Sequence, residues 1–282
     1  MGRQLLQQHL GVPGCGARRG KREKVVVIMG ATGTGKSKLS IDLAVRMPPA
    51  EVVNSDKMQV YAGLDLTTNK ITAAERCGVR HHLLGELDPA AGELSAAGFR
   101  SLGGAAVADI AARRRLPIVA GGSNSFIHAL MAAVQGCLLW VDVSAAALYE
   151  HLDRRVEEML AAGMFEELAA NYDPCRQRGQ GDTWGPGGPS ESRVRPLLRE
   201  VLAGGGCGRR PGAAAAYRAA VEEIKLNTRR LADVQVRKIW RLWAAGWRLR
   251  RLDATAAVAA ALEGGGGPTW RRPGRGTWWG PA

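Results

Sequence analysis

The stretch "KVVVIMGATGTGKSKLSIDLA", Lys24 to Ala44, decides the fold. It opens as a β-branched apolar run closed by Gly30, the pattern of a strand buried on both faces of a parallel sheet. "KSKLSIDLAVRM" continues as an amphipathic helix, stopped by Pro48 and Pro49. Between strand and helix, Gly30-Ala31-Thr32-Gly33-Thr34-Gly35-Lys36-Ser37 fits the phosphate-loop pattern G-x-x-x-x-G-K-S/T. The glycines let the backbone curl so that successive N–H groups point inward at an anion. The helix adds the positive end of its dipole. Lys36 supplies a mobile positive charge, and the Ser37 hydroxyl suits Mg²⁺. A phosphate chain is therefore expected here. The loop alone leaves open whether it belongs to a nucleotide fuel or to another diphosphate that is itself the reactant.

Working outward, "EVVNSD" (51–56), "LPIVAGGS" (116–123) and "CLLWVDVS" (137–144) read as further strands. Helices are expected over 99–115 and over 145–172, the second divided at Gly163. This alternation defines an α/β fold, a P-loop NTPase-like parallel sheet flanked by helices, over residues 24–172. Residues 1–23 read as a disordered basic arm or transit segment, and 173–212 as an irregular Gly/Pro-rich segment. Residues 213–255 form a C-terminal helical region packing on the core. Its long helix, 213–245, is expected to bury Tyr217, Val221, Ile224, Leu231, Ile239 and Leu242. Residues 256–282 read as a low-complexity tail without regular structure.

The net charge of +13 favours anionic partners, from nucleic acid to small phosphates, without choosing among them. No apolar run approaches the roughly 20 residues that cross a bilayer, so no membrane partner is expected. The five cysteines are scattered, with no CxxC and no metal-ligand spacing, and free thiols are expected.

Asp56 ends the second strand, which is expected to lie beside the phosphate-loop strand, at the carboxyl edge where ligands bind. Taken alone, an aspartate there reads as a turn or helix-cap residue. Asp142 could end a Walker B-like strand or serve a turn. His81 and His82 lack further ligands at metal spacing and read as structural; His128 reads as a packing residue.

Three blocks, "GATGTGKS", "VNSDKMQVYAGLDLTTNK" (52–70) and "PIVAGGSNSFIHAL" (117–130), together resemble the isopentenyl (dimethylallyl) transferases that prenylate N6 of adenine. "ERCGVRHHLLGEL" (75–87), "RRVEEMLAAGMFEELA" and "EEIKLNTRRLADVQVRKI" extend the match, which covers roughly 24–172 and 217–255. "NSDK", "CGVRHHLLGEL" and "GGSNSFIHAL" resemble the plant branch that acts on free adenine nucleotides and starts cytokinin synthesis. The resemblance implies dimethylallyl diphosphate and AMP, ADP or ATP as substrates, with Mg²⁺. The loop residues Gly30 to Ser37 would then grip the leaving diphosphate. Asp56 would take the N6 proton, Ser123 would donate to the bridging oxygen, and Lys36 would stabilise the leaving charge. Arg155 would meet phosphate, with a helix-surface arginine as the equal alternative; Thr32 and Thr34 would add hydroxyl donors, and Asn54, Ser55 and Lys57 would shape the adenine pocket. A tRNA dimethylallyltransferase is the second reading, and a divergent nucleotide-binding protein with reduced or no transferase activity the third. A monomer, in plastid or cytoplasm with the mitochondrion as a further alternative, completes the expectation.

The chain departs from that family pattern in three places. Only "MAAVQG" (131–136) separates two of the shared blocks, 173–212 is divergent, and Asp233-Val234 stand where basic residues are usual.

Overall fold

The computed structural model describes residues 24–171 and 213–264; the expectations for 1–23, 173–212 and 265–282 lie outside the described residues. The elements run β1 (Lys24–Gly30), α1 (Lys36–Arg46), β2 (Ala50–Asn54), β3 (His81–His82), α2 (Ala96–Ala112), β4 (Leu116–Gly121) and α3 (Asn124–Met131). They continue as β5 (Gln135–Asp142), α4 (Ala145–Ala161), α5 (Met164–Ala170), α6 (Ala213–Ala244), β6 (Leu249–Asp253) and α7 (Thr255–Glu263). The six strands form one sheet in the order β3-β2-β4-β1-β5-β6, with every pairing parallel.

Alternation along β1 separates two cores. Val25, Val27 and Met29 face a cluster with Phe99, Phe126, Ile127, Trp140 and Ile239; Ile28 faces a second with Ala44, Leu148, Leu152 and Val258. Phe99 of α2 and Phe126 of α3 stack at 4.3 Å, which locks those helices against the first face. The short segment 131–136 is sufficient as a connection: α3 ends at Met131, β5 begins at Gln135, and Val134 is buried between them.

Several sequence expectations are corrected. β2 does not lie beside β1, because β4 is inserted between them and pairs with both. The C-terminal region is not wholly helical, since β6 extends the sheet beyond β5. Nor does regular structure stop at 255, because the Ala-rich run "TAAVAAALE" forms α7 and buries Val258 and Leu262. On α6, Val221, Ile224 and Ile239 are buried, whereas Leu231 is 51% exposed and faces away from the core.

α4 and α6 are joined by a polar ladder as well as apolar contacts. Tyr149 donates to Asp233 at 2.7 Å, Arg229 grips Asp153 with two bonds, and Lys225 meets Glu157 at 2.8 Å. The partners step four residues along each helix in opposite directions, as an antiparallel pair requires. Asp233 thus has a partner here, and its departure from a basic residue fits the contact with Tyr149.

At the amino edge of the sheet, Glu51 is buried and satisfied by Arg113 (2.9 Å to Nη2, with a second bond from Nη1), by His82 at 2.6 Å and by Arg115 at 3.3 Å. The Arg113 hydrogen bond, with help from His82, holds its carboxyl down to about 2 against the opposing effect of burial. A carboxyl depressed in the folded state stabilises fully above its unfolded value near 4.5 and loses that contribution as pH falls toward about 2. Glu51→Gln should therefore lower stability at neutral pH by about 2 kcal/mol. It should also flatten the acid limb of a urea-unfolding series between about pH 5 and pH 2. An acid limb identical to wild type would contradict this role.

Candidate active site

The carboxyl ends of β1, β2 and β4 carry the loop, Asp56 and Ser123 respectively. Within the loop, Gly33 has φ +80°, and a Cβ there would lie 2.6 Å from Leu152 Cδ2. Both the backbone conformation and the close helix therefore demand glycine. The buried Ala31 carbonyl is the hub of the curl. It accepts from Thr34 Oγ1 at 2.9 Å and from Lys36 Nζ at 2.5 Å.

Thr32 is held from two sides. Arg155 Nη2 of α4 donates to its hydroxyl at 3.0 Å, and its N–H donates to Gln235 Oε1 of α6 at 2.7 Å. Arg155 is therefore a helix residue bonded to the loop and not a solvated surface arginine, and its Nε is buried with no partner among the described residues.

Charge is concentrated here against the cost of burial. Desolvation pushes the Lys36 ammonium down to about 8, with Asp56 opposing and Arg155 adding to the fall. Desolvation likewise lowers Arg155 to about 10, against the pull of Asp56 and Glu158. Two desolvated cations beside a single shared carboxylate make a site matched to a polyanion.

Asp56 reaches this point across the end of β4. A Cβ on Gly121 would strike the Ser55 carbonyl carbon at 2.3 Å, so only glycine lets the β2 exit cross β4 so closely. A Cβ on Gly122 would be 3.4 Å from Asp56 Oδ2 and 2.8 Å from Gln235 Nε2. Asp56 Oδ1 accepts the Met58 N–H at 3.0 Å, which orients the carboxylate. Ser123 donates its N–H to the Ser55 carbonyl at 3.2 Å, tying the two exits together, and its hydroxyl meets that of Ser125 at 3.2 Å.

Three of the residues singled out in the sequence bond through their side chains within the protein, and a fourth lies buried. Thr34 turns its hydroxyl into the loop. Asn54 donates to the Leu83 and Asp56 carbonyls at 2.8 and 3.3 Å and accepts the Asp56 N–H at 3.1 Å, so it shapes the Asp56 turn. Ser55 is fully buried under Gly121 with no partner for its hydroxyl among the described residues, and Lys57 is paired with Glu93. Asp142 is likewise committed, to Arg251 at 2.6 Å across the β5–β6 edge, and His128 stacks on Trp247.

Two contributors escaped sequence reading. Glu167 accepts from Leu66 N, Thr67 N and Thr67 Oγ1 at 2.9, 2.7 and 2.6 Å, pinning the "LDLTTNK" segment to α5. Gln235 is the other. Its signal was a polar side chain at helical spacing between the buried Ala232 and Ile239.

For Mg²⁺, the donor chemistry fits. Ser37 presents an exposed hydroxyl directly after Lys36, and among the described residues no group of three His, Cys, Asp or Glu forms a protein-only cage. Mg²⁺ characteristically takes few protein oxygens and completes its shell with phosphate and water.

Fold and crevice define a phosphate-loop α/β protein with a carboxylate and a serine hydroxyl on neighbouring strand exits. More particularly, the chain belongs to the IPP transferase family, whose model matches residues 59–137 and 132–240. It is 47% identical over 271 residues to an adenylate isopentenyltransferase of Humulus lupulus, covering 85% of this chain and 82% of that protein. Adenylate isopentenyltransferase 1, chloroplastic, of Arabidopsis thaliana is 44% identical over 272 residues, covering 86% of this chain and 74% of that one. A solved eukaryotic dimethylallyltransferase acting on tRNA shares the fold at 22% identity with TM-score 0.70, covering 89% of this chain and 82% of its own.

An anion bound at the loop would restore the proton to Lys36, so affinity for it should depend on pH. In the free protein Lys36 is cationic below about 8 and neutral above it. Affinity for a non-hydrolysable allylic diphosphate analogue should be flat below that value, then fall by up to about tenfold per pH unit. Titration calorimetry on wild type and Lys36→Met checks this, and an equal slope in both proteins would refute it.

Proposed function

We propose that the protein transfers a dimethylallyl group from dimethylallyl diphosphate to N6 of the adenine of AMP, ADP or ATP. The observation that carries the reading is the desolvated Lys36–Arg155 pair around the loop, with the Asp56 carboxylate reaching it from the β2 exit across the end of β4. Two cations suit a leaving diphosphate, and a carboxylate suits a proton leaving nitrogen. The adenylate isopentenyltransferase names of relatives at 44–47% identity favour a free nucleotide as acceptor.

In this reading the loop N–H groups, Lys36 and Arg155 bind the donor's diphosphate. The N6–C1 bond forms as the allylic C1–O bond breaks, and that electron pair leaves on the diphosphate. Ser123 donates to the bridging oxygen as its charge grows. Asp56 Oδ2 takes the N6 proton while Oδ1 stays on the Met58 N–H. Mg²⁺, held by Ser37 and phosphate oxygens, would neutralise further charge on the departing group. The relative named chloroplastic supports a plastid as the compartment.

Incubation with dimethylallyl diphosphate, Mg²⁺ and each of AMP, ADP and ATP should yield N6-prenylated nucleotide. Asp56→Asn should lower kcat by about 100-fold or more while donor binding stays near wild type. Prenylation of an anticodon-stem RNA with free nucleotides untouched would overturn the choice of acceptor. No turnover on any acceptor, beside an active relative, would overturn the activity.

A further inference from the structure

Gln235 lies 203 residues from Thr32 in sequence yet donates and accepts at two strand exits at once. Its Oε1 takes the Thr32 N–H at 2.7 Å, and its Nε2 donates to the Gly122 carbonyl at 3.2 Å. Its backbone carbonyl accepts from Asn124 Nδ2 at 3.1 Å, just beyond Ser123. A single α6 side chain thus spans the gap between the loop and the turn that carries Ser123. Asp56 borders the same gap, as shown by its approach to the Gly122 Cβ position.

The amide suits this task chemically. One end must accept from an N–H and the other must donate to a carbonyl, and a carboxamide provides both without charge. A carboxylate would keep the first bond, lose the second, and place a negative charge beside the diphosphate site. Because Thr32 N–H is committed to Gln235, the donor must rely on the remaining loop amides and the two cations.

We propose that Gln235 is a positioning residue: it fixes the separation of the phosphate loop from the Gly122–Ser123 turn and so couples α6 to prenyl transfer. The inference deepens the transferase reading and rests on it for the kinetic part. It acts through Thr32 and Ser123. The Tyr149–Asp233 bond, two residues away on α6, joins the same helix to α4 without touching the loop, so it is the natural control.

The test compares wild type with Gln235→Ala, Gln235→Glu and Tyr149→Phe in the full chain, all confirmed folded by thermal melts. Binding of inorganic diphosphate is measured by calorimetry and prenyl transfer by steady-state kinetics. Gln235→Ala should bind diphosphate about fivefold more weakly through the loosened loop. It should also lose about 10- to 100-fold in kcat at saturating substrates, since misplacing reacting groups by about an ångström has that effect. Gln235→Glu should not restore kcat, and Tyr149→Phe should leave both readouts at wild-type values. Diphosphate affinity and kcat both unchanged in a folded Gln235→Ala would overturn the proposal, as would an equal loss in Tyr149→Phe. If wild type transfers no prenyl group, the function reading fails, and the diphosphate measurement still decides whether Gln235 braces the loop.

Discussion

Desolvating two cations around one loop is the demand that the rest of the structure serves. Lys36 and Arg155 are both desolvated, Asp56 is the carboxylate that opposes the cost at each, and Arg155 Nε has no partner among the described residues. Such an arrangement is costly in the free protein and favourable once an anion enters. The surrounding elements hold it in place. α4 delivers Arg155 to Thr32, the Ala31 carbonyl holds Lys36 inside the loop, and α6 bonds Thr32 from the other side.

The second half of the site depends on a close crossing of backbones. β4 separates β2 from β1, so Asp56 must pass over the end of β4 to face the loop. Gly121 and Gly122 make the passage possible, because any side chain at Gly121 would collide with Ser55. The same crossing brings the Ser55 carbonyl onto the Ser123 N–H, so the turns that carry Asp56 and Ser123 are tied together. Separately, the α4–α6 ladder fastens the C-terminal helix to α4.

What could be read from sequence follows from how local each feature is. The strand–loop–helix around Lys36 is encoded in adjacent residues, and it forms where the pattern placed it. The insertion of β4 between β1 and β2 is a property of pairing that no local window contains. β6 was missed because "LRRLD" is mostly polar, as an edge strand can be. α7 was missed because its alanines were read together with the glycine run that follows. The contacts of Thr34, Asn54, Ser55 and Lys57 within the protein depend on the folded turns and are not visible in the motif itself. In the fold their polar atoms shape the loop and the Asp56 turn, pair with Glu93 or lie buried. Gln235 was hidden because its partners lie more than a hundred residues away.

The central claim is that the loop grips the donor's diphosphate and not the acceptor's phosphate. The most direct measurement is the inhibition pattern of inorganic diphosphate in the prenyl-transfer reaction with AMP as acceptor. The account predicts competition with dimethylallyl diphosphate, with inhibition that AMP cannot overcome. Competition with AMP, undiminished by saturating donor, would place the nucleotide in the loop and contradict it.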